Sequence, residues 1–74
     1  MANALEERFA EVLLDKIRND MYPSRTQMDM LESLASPQVL LEFVMDLMDR
    51  IQAEAHPSVP MMQRASRLMA EFGS

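Results

Sequence analysis

The chain repeats part of its own sequence at a spacing of 34 residues, and this repeat limits the folds that it can adopt. Eight side chains are identical between the two copies. The identical pairs are Phe9/Phe43, Leu13/Leu47, Asp15/Asp49, Ile17/Ile51, Pro23/Pro57, Ser24/Ser58, Met28/Met62 and Leu34/Leu68. A period of this length typically encodes one supersecondary unit. The sequence therefore predicts one helical hairpin that occurs twice.

The length and composition predict a single small domain that spans residues 1–74. The chain has 74 residues and no cysteine, so neither disulfides nor thiolate metal sites are expected. A domain this short buries only about 60% of its unfolded surface, and such domains often gain stability by associating. Nine methionines are present. These flexible thioethers suit either a core with irregular gaps or a contact surface that adapts to its partner.

The charge pattern narrows the class of partner. The formal net charge is −5, and the acidic residues are spread along the chain without a basic cluster, so nucleic acid is not an expected partner. No apolar run reaches the ~20 residues of a membrane span, which predicts no membrane partner. The start, Met1-Ala2-Asn3-Ala4 followed by acidic residues, does not resemble a secretory signal. A cytoplasmic location is the resulting prediction.

The prolines fall at three breaks, Pro23, Pro37 and the pair Pro57 and Pro60, which divide the chain into four segments. The apolar residues of each segment have helical spacing, and none alternates as a strand would. The second helix is expected at about 25–35 and the third at about 37–54. Hairpin 1 is then about 4–35 and hairpin 2 about 37–72. The predicted fold is all-α: a compact four-helix bundle of two hairpins related by a pseudo-twofold axis.

Local signals predict where these helices begin and end. Ser24 is expected to cap the second helix in a capping box with Gln27, and Ser36 precedes a proline at the first position of the third. Gly73 is expected to cap the end of the fourth helix. In the first helix, the i+4 series that Leu5 begins predicts the core-facing stripe. That series is Leu5, Phe9, Leu13 and Ile17, flanked by Val12 and Leu14.

The differences between the two copies indicate a surface that only the second copy has. Three acidic positions of the first helix are apolar in the third, namely Glu6/Leu40, Glu7/Leu41 and Glu11/Met45. The apolar arc of the third helix therefore spans roughly 200°. Either this helix lies at the centre of the bundle, or another protein chain covers its extra flank. The predicted protein interface comprises Leu40, Leu41, Val44, Met45, Met48 and Met61.

The two Pro-Ser turns carry residues that suit a small anion. In a bundle whose helices alternate in direction, both turns lie at one end, which would bring Tyr22 and His56 close together. Exposed N–H groups at helix starts favour anions such as phosphate or a carboxylate. The candidate anion site comprises Tyr22, Ser24, Arg25, His56 and Ser58. The alternative is that both serines only cap their helices.

Catalytic, metal and cofactor chemistry is not expected. His56 is the only histidine, and nucleophilic catalysis needs an activated nucleophile, a base and an orienting group. The chain has no Glu-x-x-His pair of the kind that di-iron bundles use. We therefore expect a non-enzymatic, acidic helical module for protein–protein interaction, an adaptor that self-associates as a homodimer through the third helix. The alternatives are the anion or ligand site and an acidic decoy of a nucleic-acid-binding surface.

Overall fold

A computed structural model describes residues 3–73, with side chains for residues 3–72. These residues form four α-helices and contain no strand. The helices are α1 (Ala4–Arg18), α2 (Arg25–Leu34), α3 (Pro37–Ala53) and α4 (Val59–Gly73). The all-α prediction and the predicted number of helices are confirmed. The starts of α2 and α3 fall at the predicted positions, and both helices end one residue earlier than expected.

Side-chain caps fix the starts of α2 and α3 as the sequence predicted. The Ser24 hydroxyl oxygen accepts from the backbone N–H of Gln27 at 3.0 Å, and the Gln27 side-chain oxygen accepts from the backbone N–H of Ser24 at 3.3 Å. This reciprocal pair is the predicted capping box. The Ser36 hydroxyl oxygen accepts from the backbone N–H of Val39 at 3.4 Å, which caps the start of α3.

The start of α1 has a cap that the sequence analysis did not identify, and α4 ends near the predicted residue. At the start of α1, the Asn3 side chain accepts from the backbone N–H of Glu6 at 2.8 Å, a cap that the prediction missed. The helix already ends at Arg18, where the Asn19 N–H donates to a carbonyl of the last turn, well before Pro23. α4 ends at Gly73, where the sequence predicted. The role of Gly73 as the cap of this helix stays a prediction.

The chain divides into two compact units, and the boundary falls inside α3. Unit 1 is Met1–Leu41, in which α1 packs against α2. Its buried side chains are Ala10, Leu13, Leu14, Ile17, Met28, Leu31 and Val39. Unit 2 is Glu42–Ser74 and contains the rest of α3 together with α4. Its buried side chains are Phe43, Val44, Leu47, Ala65 and Leu68.

The predicted core stripe of α1 is wrong in its first half. Along the i+4 series, the exposed fraction falls from 82% at Leu5 to 44% at Phe9, 8% at Leu13 and 0% at Ile17. Each step of four residues rotates by about 40° around a helix with 3.6 residues per turn. Four such positions therefore sweep from the solvent face to the core face. The observed buried set, Ala10, Leu13, Leu14 and Ile17, follows the i, i+3, i+4, i+7 spacing of a true helix face.

Candidate protein-interaction surface

α3 carries apolar side chains on two faces. One face supplies Phe43 and Leu47 to the core, where neither is accessible to solvent. The other presents Leu41, Met45 and Met48, which are 48%, 53% and 42% exposed. We call these three residues the α3 strip. Their i, i+4, i+7 spacing on one uninterrupted helix aligns them along a single line.

The α3 strip cannot share the covering that buries the core face of the helix. Met45 follows Phe43 by two residues and therefore lies about 160° away around the helix axis. The elements that bury Phe43 completely leave Met45 about half exposed. Exposed apolar side chains scattered singly need no explanation, but three large ones in a line form a patch of the kind that binds partners.

The remaining residues of the predicted interface are less accessible. Leu40 and Met61 are half-buried. Val44 is only 2% exposed, because it lies at the edge of the buried face, about 60° around the helix axis from Leu47. A partner cannot reach the Val44 side chain, which corrects its inclusion in the predicted surface.

The rim of the α3 strip is acidic on one side. Glu42 and Asp49 are seven residues apart, so they lie within about 20° of each other along one edge of the strip. Farther from the strip, the Arg50 Nε donates to the Asp46 Oδ2 at 2.8 Å in a half-buried i, i+4 ion pair. Arg50 therefore balances Asp46, and the edge next to the strip keeps its negative charge.

The unit 1 residues of the candidate anion site are exposed but already serve the local backbone. The Ser24 oxygen accepts within the capping box of α2. Tyr22 and Arg25 are exposed. The backbone N–H of Tyr22 donates to the Asp20 carboxylate at 3.1 Å. A carboxylate in this turn opposes the binding of a second anion there.

The unit 2 residues of the candidate anion site are also exposed, and one of them already caps a helix. His56 is exposed, and the Ser58 oxygen accepts from the backbone N–H of Met61 at 3.3 Å, which caps α4. Both serines therefore act as helix caps, as in the alternative interpretation. The proximity of Tyr22 and His56 stays a prediction, and so does the acidic decoy.

Neither a metal-binding cluster nor a membrane-spanning helix occurs in the described part of the chain. Residues 3–73 contain no group of three or more His, Cys, Asp or Glu side chains arranged to hold a metal ion. None of the helices in the same range combines the length and the apolar character needed to cross a bilayer.

Comparison with protein-family models, with curated proteins and with solved structures returns no match.

A second exposed apolar line, on α1, was missed by the sequence prediction. Leu5, Phe9 and Val12 are all exposed, and their i, i+4, i+7 spacing again aligns them. We call these residues the α1 strip. The signal that could have revealed it is the series of Ala10, Leu13, Leu14 and Ile17, because its i, i+3, i+4, i+7 spacing is that of one helix face.

Proposed function

We propose that this protein is a protein-interaction module that binds an amphipathic helix of a partner on the α3 strip. The observation that carries the proposal is the line of Leu41, Met45 and Met48, each about half exposed on the side of α3 away from its core face. Recognition between amphipathic helices uses apolar anchors at this spacing. Two of the three are methionines, whose flexible thioethers adapt to different side chains.

The acidic rim argues for a partner with basic residues beside its apolar face. Complementary charges at a rim steer association and select among partners. Two α3 helices paired about a twofold axis would run antiparallel, with the same edges together. Glu42 of one copy would then approach Asp49 of the other, and the two carboxylates would repel. We therefore favour a basic partner over the α3–α3 self-association expected from the sequence.

Burial of the exposed apolar surface supplies the driving force. Apolar area removed from water contributes about 25 cal/mol per Å² before the costs of ordering and lost rotation are subtracted. Since the α3 strip is a short line on one helix, the expected complex is reversible and of moderate affinity.

The architecture forms part of the same proposal. We infer two hairpins, α1 with α2 and α3 with α4, which the packing of α1 on α2 and the place of α4 in unit 2 support. The sequence repeat of 34 residues supports the same pairing. Cytoplasmic location and the absence of enzymatic activity stay predictions.

Synthetic helical peptides test the proposed binding. Two peptides share one Leu/Met face and differ in flanking lysines or flanking glutamates, and fluorescence anisotropy gives their Kd values. We expect the lysine peptide to bind at least about tenfold more tightly, with the preference weakening as salt is added. Met45→Glu should remove this binding, because the new carboxylate lies at the centre of the strip.

The matched control is Gln63→Glu, which adds the same charge at an exposed position of α4 and should bind the lysine peptide as the unmodified protein does. Circular dichroism checks that both variants fold. Equal binding of the two peptides would contradict the proposed preference for a basic partner. Unchanged binding by a folded Met45→Glu protein would show that the α3 strip is not the docking surface.

A further inference from the structure

Two side chains of the α1 strip are exposed to solvent, whereas their counterparts in the 34-residue repeat are buried. Leu5 and Phe9 correspond to Val39 and Phe43 in the 34-residue repeat. Val39 and Phe43 are buried, whereas Leu5 and Phe9 are exposed. The same kind of side chain at the same repeat position is therefore packed in one copy and open to water in the other. An exposed line of Leu, Phe and Val is a surface that gains free energy when another apolar surface covers it.

The charged residues beside the α1 strip would attract the same residues of a second, antiparallel α1 helix. Arg8 and Asp15 are seven residues apart, so they lie within about 20° of each other along one edge of the strip. Glu11 lies between them in sequence, slightly farther from the strip. In an antiparallel pair of α1 helices about a twofold axis, these same edges meet. Arg8 of each copy then falls between Glu11 and Asp15 of the second copy.

Arg8 is only weakly paired within its own chain, so it is available to pair with carboxylates of a second copy. Its guanidinium lies 3.7 Å from the Glu11 carboxylate, and both side chains are largely exposed. Exposed ion pairs of this kind are weak. Arg8 can therefore leave Glu11 of its own helix and lie between Glu11 and Asp15 of the second copy. Lys16 extends the line of the strip by one further turn, and its aliphatic stem can cover Leu5 of the second copy while its ammonium stays in water.

The repeat supplies a direct contrast. Glu42 and Asp49 of α3 are the repeat counterparts of Arg8 and Asp15. The edge of α3 therefore has two like charges where the edge of α1 has opposite charges. Self-pairing is repulsive along the first edge and attractive along the second. The occupant that these charges select for the α1 strip is a second copy of this chain.

We propose that two copies of the protein associate through antiparallel α1 helices, with Phe9 of each packed on Val12 of the other. This contact is separate from the α3 strip and does not depend on the function proposed above. α1 is about 22 Å long, so the pair buries an area at the small end of specific interfaces, below about 1,200 Å². The dimer is therefore weak and depends on concentration.

Sedimentation equilibrium over a wide range of concentrations tests the dimer. We expect the unmodified protein to shift from monomer to dimer as its concentration rises. Phe9→Glu and Arg8→Glu, the second of which copies Glu42, should each weaken dimerisation by about tenfold or more. Met45→Glu should dimerise normally, which separates this contact from the α3 strip. A monomer at every concentration, or unchanged dimerisation of the folded Phe9→Glu protein, would overturn the proposal.

Single cysteines test the antiparallel arrangement, since the natural chain has none. In the proposed register, the two Val12 positions are offset by only about 5 Å along the helix axes, whereas the two Lys16 positions are offset by about 17 Å. Under mild oxidation Val12→Cys should form a covalent dimer and Lys16→Cys should not. A mixture of Leu5→Cys and Lys16→Cys should form the mixed dimer. Efficient self-crosslinking of Lys16→Cys would instead indicate parallel helices and overturn the proposed pairing.

Discussion

Some residues that are identical in the two copies of the sequence repeat have different environments in this protein. Phe9 and Phe43 are the clearest pair, since the first is 44% exposed and the second is completely buried. The free energy that a phenylalanine contributes to folding depends on the area that it buries and on the cavity that its removal leaves. One side chain therefore stabilises the fold, whereas the other is available for contacts with a second molecule.

This pair gives a prediction for unfolding. Phe43→Ala should lower the free energy of unfolding by about 3–5 kcal/mol, because it leaves a cavity in a packed core. Phe9→Ala should lower it by about 1 kcal/mol or less, because water can fill the space that the ring leaves. Urea unfolding at a protein concentration low enough to keep the protein monomeric measures both changes. Equal losses for the two substitutions would contradict the assigned environments.

At the scale of the element, the sequence encodes where a helix begins more clearly than which side of it is buried. Ser24 and Pro37 act on the backbone next to them, so the starts of α2 and α3 could be predicted. The buried face depends on neighbours that are distant in sequence. Only two repeat positions, Ala10/Val44 and Leu13/Leu47, are buried in both α1 and α3. The wide apolar arc of α3 identified Met45 as a surface candidate but could not separate it from Val44.

Val44 and Met45 are adjacent in sequence and test the two faces of α3 directly. Val44→Glu places a carboxylate in an apolar core without a partner, which should unfold most of the protein. Met45→Glu places the same group at an exposed position, and the free energy of unfolding should change by about 0.5 kcal/mol or less. Helical content by circular dichroism and urea unfolding give both results. A stable Val44→Glu protein would show that this face of α3 is not closely packed.

At the scale of the whole molecule, the charge is unbalanced and remains at the surface. The chain has 12 acidic residues against seven lysines and arginines, and the buried residues in the described part of the chain are all apolar. Repulsion among surface carboxylates destabilises a compact chain, and dissolved salt screens that repulsion. This effect is general to the molecule and differs from the pairing of individual charges at the α1 and α3 strips.

Sodium chloride should therefore raise the melting temperature at neutral pH, with most of the rise complete once the Debye length falls to about 10 Å near 0.1 M salt. Asp49→Asn combined with Glu54→Gln should raise the melting temperature at low salt and reduce its further rise with salt. Both carboxylates are exposed near the end of α3, where the helix dipole also disfavours negative charge. Differential scanning calorimetry measures both effects. A melting temperature that falls as salt is added would mean that attractive ion pairs outweigh the net charge.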